Sequence, residues 1–89
     1  MQSNFLLGAL HMTEPARMAL KRQPYDLVCR HAINDHGNIT KREQKMNDDS
    51  MKTLGPIISR YKVNPIDPLS RNIVILTKVT WCETLIALE

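Results

Sequence analysis

The stretch spanning residues 61–77, YKVNPIDPLSRNIVILT, limits the choice of fold more than any other part of the chain. Asp67-Pro68 has the form of a helix start, with Asp as N-cap and Pro at the first helical position. Its flanks oppose this: Tyr61-Lys62-Val63 and Ile73-Val74-Ile75-Leu76-Thr77 are rich in β-branched and aromatic residues, which favour strands. A helix continuing from Asp67 would have an almost wholly β-branched middle, and would set Lys78 among Val74, Trp81 and Leu85. A hairpin avoids both faults. Residues 61–63 then pair with 73–77, and the polar, proline-bearing 64–72 make the loop at its tip. A lone hairpin is marginal in water, so it must lie against helices.

Caps and apolar spacing supply those helices. TEPARMALKR offers Thr13 as N-cap, Pro15 in the first turn and Lys21-Arg22 where the dipole favours cations. In PYDLVCRHAINDHG, the residues Tyr25, Val28, Cys29, Ala32, Ile33 and His36 form one helical stripe, and Gly37 is a terminator. NITKREQKMND opens with a capping box, Thr40 with Glu43, and predicts a short polar helix anchored by Met46. Asp48-Asp49-Ser50 is a second cap cluster. After it Met51, Leu54, Ile57, Ile58 and Tyr61 recur with helical spacing, divided at Gly55-Pro56 because an internal proline costs about 3 kcal/mol. TWCETLIALE places Trp81, Leu85 and Leu88 on one helical face, to be covered by the core or by a twin.

Eighty-nine residues make one small domain, able to bury roughly 60–65% of its extended surface, so a partner subunit is a natural source of further stability. Residues 13–89 are expected to form the domain and 1–12 a flexible N-terminal segment, in which His11-Met12 also reads as a cloning junction. That segment has neither the basic start nor the apolar length of a signal peptide or a membrane span, which predicts a cytoplasmic protein with no membrane contact. Cys29 and Cys82 lack the spacing of a disulfide framework or a zinc knuckle. Cys29 and His31 sit two apart on a helix and do not face each other, so with His36 they read as packing residues and not as metal ligands or a nucleophile and base. Asn38-Ile39-Thr40 matches a glycosylation sequon, and reads as the helix cap. No catalytic constellation or cofactor loop is present in the sequence, and the expectation is a non-enzymatic protein without metal or cofactor.

The formal net charge is +3, and residues 41–78 concentrate it with eight basic residues against four acidic ones. Within this basic region HGNITKRE and SMKTL resemble the helix-turn-helix of winged-helix regulators, and IDPLSRNIVILT resembles the wing of MarR-like transcription regulators. The likeness covers roughly residues 25–88. It implies a mainly α domain with a small β-hairpin, of the winged helix-turn-helix kind, the alternative being a small all-α domain. Lys52, Thr53, Ser59 and Arg60 would then be recognition-helix residues, and Arg71 the wing residue entering a minor groove. Lys41, Arg42 and Lys45 would contact phosphates, with Lys62 part of the same basic surface. Departures from the pattern are Gln44 and Lys45 at positions that normally supply apolar contacts, the Gly55-Pro56 break, and the missing long dimerising helices. Two functions follow: a homodimeric transcription regulator on double-stranded DNA, or a protein-binding adaptor or inhibitor of a regulator or of the transcription machinery, docking on an acidic protein. The adaptor reading predicts that the cations do not converge on one face.

Overall fold

A computed structural model describes residues 5–89 and shows an α/β domain. In chain order the elements are β1 (Ala9–Met12), α1 (Glu14–Leu20), α2 (Tyr25–Ala32), α3 (Lys41–Thr53), β2 (Ile57–Lys62), β3 (Asn72–Thr77), a short 3-10 turn (Val79–Trp81) and β4 (Glu83–Leu88). The strands form one sheet in the order β1-β4-β3-β2, in which β1 runs parallel to β4 and the other neighbours are antiparallel. This overturns the mainly α, winged helix-turn-helix expectation and its all-α alternative. Residues 57–61 and 83–88, both expected in helices on apolar spacing, are strands.

The physical reason lies in their burial. Along β2 the buried residues are Ile57, Ser59 and Tyr61, a period of two. Along β4 they are Thr84 and Ile86. Trp81 is buried in the turn before β4, while Leu85 and Leu88 are half-buried strand residues, so no helical face joins these three. The hairpin itself forms, and is longer than its β-branched core suggested: Ile57 pairs with Thr77 and Lys62 with Asn72. Ala9–Met12, within the segment expected to be a flexible tail, adds a fourth strand beside β4.

Thr13 caps α1 and Thr40 caps α3, the latter in the capping box with Glu43. Helix α3 runs unbroken through Asp48-Asp49-Ser50, where the sequence suggests a boundary. Its packed side is polar: Asn47 and Ser50 are its buried residues. That works because its neighbour is a strand edge with bare backbone groups. Asn47 accepts from the Ile58 N–H and donates to the Ile58 carbonyl, both at 2.9 Å. Next to it His36 O accepts from Arg60 N–H at 3.0 Å, and Asn38 N–H donates to Arg60 O at 2.8 Å. Gly37 lies so close to β2 that a Cβ would meet Arg60 O at 2.1 Å, and its φ is +68°. The β2 edge is thereby covered at Ile58 and Arg60.

Helices α1 and α2 pack on one face of the sheet. The main core joins Ala16, Leu20, Leu27 and Val28 of the helices to Tyr61, Ile73, Ile75 and Ile86 of the strands. A second cluster gathers Phe5, Ile57 and Trp81, with Met51 of α3 against it.

Candidate functional site

The opposite face of the sheet is uncovered by any helix among the described residues. Strand alternation sends Ile58, Arg60 and Lys62 of β2, Val74 and Leu76 of β3, and Leu85 and Ala87 of β4 to this side, and all are half-buried. Ile58, Leu76 and Leu85 are register partners across three strands, and Val74 pairs with Ala87 in the next row. An apolar centre results. Polar groups border it: Arg60 with Glu89 and Asn72 at one end, Lys78 with Glu83 and His11 at the other. Apolar centre and polar rim is the anatomy of a protein-binding surface.

Ion pairs decide which cations are available. Arg60 contacts Glu43 through Nη1 and Glu89 through Nε at 2.7 Å. The bond to Arg60 lowers the Glu43 carboxyl below the usual carboxylate range, with a backbone bond at Thr40 adding to it, and Arg60 with Asn72 does the same for Glu89. Arg60 is locked, and it lies on a strand. Arg22 is held by Asp26, Arg30 by Asp35 and Lys78 by Glu83. Lys41, Arg42, Lys45, Lys52 and Lys62 form no ion pair among the described residues, and Arg71 donates to the carbonyl of Glu89 at 3.1 Å. Lys41, Lys45 and Lys52 share the solvent side of α3, opposite Asn47 and Ser50. Thr53 ends α3, exposed, its hydroxyl bonded to Asp49 O. Ser59, expected on a recognition helix, lies in β2 and is wholly buried. The DNA-reading set is therefore divided between the outside of α3, the sheet and the core, and no recognition helix gathers it.

A cleft of about 340 Å³ lies between α2 and β2, lined by Arg22, Leu27, Arg30, Asn38, Tyr61 and Lys62. The Arg30 guanidinium lies over the Tyr61 ring, 4.6 Å from its centroid. Tyr61 donates its hydroxyl proton to Asp35 O at 2.6 Å, and burial pushes its phenol up to about 12. The cations here already have carboxylates, apart from Lys62.

Ser59, His31 and His36 bring together the residue types of a nucleophile and its bases. Ser59 Oγ is 2.6 Å from His31 Nδ1 and 2.7 Å from His36 Nδ1. Ser59 and His31 are 0% exposed, however, so the group is part of the core. It continues from His31 Nε2 to Thr77 Oγ1 at 2.9 Å, to Thr84 Oγ1 at 2.7 Å, and to the Leu7 carbonyl at 2.7 Å. A carbonyl only accepts, which orients the whole chain. Thr84 donates to Leu7, Thr77 to Thr84, His31 Nε2–H to Thr77, Ser59 to the bare Nδ1 of His31, and His36 Nδ1–H to Ser59. Burial lowers the His31 pKa from 6.5 to about 3, with the neighbouring His36 adding to it, so the ring is neutral as this scheme requires.

Sequence reasoning missed the uncovered face, although a signal was present. An antiparallel sheet with one wet face alternates apolar and polar residues, whereas IVIL and LIAL are continuous apolar runs, as in strands covered on both sides. Comparison with known proteins finds no matching family model, no matching curated protein and no matching solved structure.

Proposed function

We propose that this chain is a non-enzymatic protein-binding adaptor whose contact surface is the uncovered face of the sheet, and whose partner is a protein with an apolar patch bordered by acidic residues. The apolar runs of β3 and β4 carry the reading, because they suit a sheet with two covering layers and the described residues supply one. Charge supports the choice of partner. Lys62, at the end of β2, and Arg71, just before β3, sit at one end of the face. Lys62 forms no ion pair among the described residues and Arg71 bonds only the Glu89 O, so an acidic rim on the partner would be complementary.

A selection from a random peptide library on immobilised protein tests this. The expected winners combine Asp or Glu with aliphatic or aromatic residues, and Leu76→Lys lowers their affinity at least about tenfold, the scale of one buried apolar contact. Winners without acidic residues, or binding indifferent to Leu76→Lys, would overturn it.

A second reading, contact with DNA, rests on Lys41, Lys45 and Lys52 along one side of α3. Such contacts would be to phosphates and insensitive to sequence. A duplex titration across a salt series separates the two, since replacing these three lysines by Gln should reduce the salt slope by about one for each phosphate that is no longer neutralised.

A further inference from the structure

The two edges of the sheet are treated differently. On β2 the outward backbone groups of Ile58 and Arg60 are taken by Asn47 and by the 36–38 segment. On β1 no described residue does the same. Ala9 N–H donates to Cys82 O at 3.2 Å and Thr13 N–H to Ile86 O at 2.9 Å, so alternate residues of β1 bond toward β4. Leu10 and Met12, the residues between, turn their N–H and C=O groups away from the sheet, and no described residue meets them. Natural edge strands discourage pairing with lysine, proline or a bulge. The sequence of β1, Ala-Leu-His-Met, has none of these.

We infer that β1 is the homodimerisation edge of this protein, pairing antiparallel with β1 of a second copy about a two-fold axis at His11. The register follows from which groups point outward. With His11 opposite its symmetry mate, Leu10 faces Met12 of the second copy, and each such pair exchanges both hydrogen bonds in the narrow-pair pattern. An axis at Leu10 would set Met12 opposite Gly8, which leaves the strand at φ +63°, and an axis at Met12 would set Leu10 opposite Glu14, already in α1.

Side chains on both faces fit the same axis. Leu10 is 46% exposed and points to the helix side, where Met12, Pro24, Tyr25, Val28 and Ile86 line a groove of about 210 Å³. Tyr25, the first residue of α2, is 66% exposed above it. Pairing brings the two grooves together and covers both leucines. On the other face each His11 has Nε2 3.2 Å from Glu83 Oε2, so the seam contains two imidazoles each with its own carboxylate. The assembly also closes. One copy's four-stranded sheet joins the other's, and the outer edges of the joined sheet are the two β2 strands, whose Ile58 and Arg60 groups are already taken.

The test is light scattering on the full chain over a concentration series, with Leu10→Pro and Leu10→Lys beside it. Proline removes only the outward-facing N–H, and lysine sets like charges beside the axis. The unaltered chain should be dimeric in the micromolar range, and each variant should raise the dissociation constant at least tenfold while keeping its far-ultraviolet circular dichroism. Amide exchange at Leu10 and Met12 should slow on going from the dilute to the dimeric sample. A monomer at every concentration would overturn the inference. So would a dimer that survives both Leu10 variants and dissociates in Leu76→Lys, since that result places the contact on the sheet face; loss of peptide binding in Leu76→Lys with the dimer intact would leave the edge pairing in place.

Discussion

Ser59 has one hydroxyl proton and two imidazole nitrogens within reach, and the direction in which it points is set two strands away at the Leu7 carbonyl. The consequence is a definite tautomer for each ring: His31 carries its proton on Nε2 and His36 on Nδ1. Long-range proton–nitrogen spectra of the imidazoles at pH 7 should show this pair, His36 being in the less common form; the reverse pair would mean that the chain does not terminate on Leu7. Neutrality of His31 also makes stability depend on pH. The unfolded ring takes up a proton near pH 6.5, whereas the folded one resists until about pH 3. Folding therefore excludes a proton across that window, and stability that is full above pH 6.5 is lost as pH falls toward 3. At pH 5 the loss is about 2 kcal/mol relative to pH 7, and His36, lowered chiefly by burial, adds in the same direction. Asp26, Asp35, Glu43 and Glu89 are held below their ordinary values, so their losses begin at lower pH. Urea unfolding at pH 7 and pH 5 measures the histidine contribution nearly alone, and equal stabilities would contradict a neutral His31.

Helix α3 shows why side-chain chemistry is sometimes a better guide to an element's neighbour than apolar periodicity. Asn47 gives Ile58 the two hydrogen bonds that a fifth strand would have given, from a helix. Asn47→Ala should cost about 1–3 kcal/mol, the expense of leaving those backbone groups unmet, and Asn47→Asp should not restore it, because a carboxylate accepts from Ile58 N–H but cannot donate to Ile58 O. Denaturant midpoints of the two variants decide this; an unchanged Asn47→Ala would mean that water serves as well. The same pair explains the limits of the sequence. Capping boxes and β-branched runs act locally, so the starts of α1 and α3 and the existence of the hairpin can be read from a few residues. The continuous extent of α3 cannot, because its packed side is polar and matches no apolar stripe. Residues 83–88 are ambiguous in a different way: Trp81, Leu85 and Leu88 satisfy a helical period, while Thr84 and Ile86 satisfy a strand's, and a short apolar run supports either. Only pairing with both β1 and β3 resolves it. The uncovered face shares this difficulty, since Ile58 and Leu85 both fit helical stripes in helices that do not form.

At the level of the whole molecule the chain ends depend on each other. Strand β4 lies inside the sheet only because β1 pairs with it, and the segment before β1 supplies Phe5 to the Ile57 and Trp81 cluster and Leu7 O to the oriented hydrogen-bond chain. No local pattern signals this, because pairing between residues 9–12 and 83–86 is about as non-local as the chain allows. Ion pairing is organised at the same scale. Arg60 of β2 joins Glu43 at the start of α3 to Glu89 after β4, tying a helix to the far end of the chain. A protein beginning at Met12 would keep every helix and the hairpin, and would still lose more than a peripheral strand. Removing the Phe5 ring from a buried site costs about 3–5 kcal/mol by itself. Exposing the β4 edge and leaving the Thr84 hydroxyl without its acceptor add to that, against a total stability of about 5–15 kcal/mol for domains in general and toward the lower end for one of this size. The expected product is largely unfolded at about 25 °C, with Trp81 fluorescence shifted toward that of solvated indole and rapid exchange of the Thr84 and Ile86 amides. Cooperative unfolding of the shortened chain within about 1 kcal/mol of the full one would show that the hairpin and helices suffice, and that β1 serves for pairing between copies without closing the sheet.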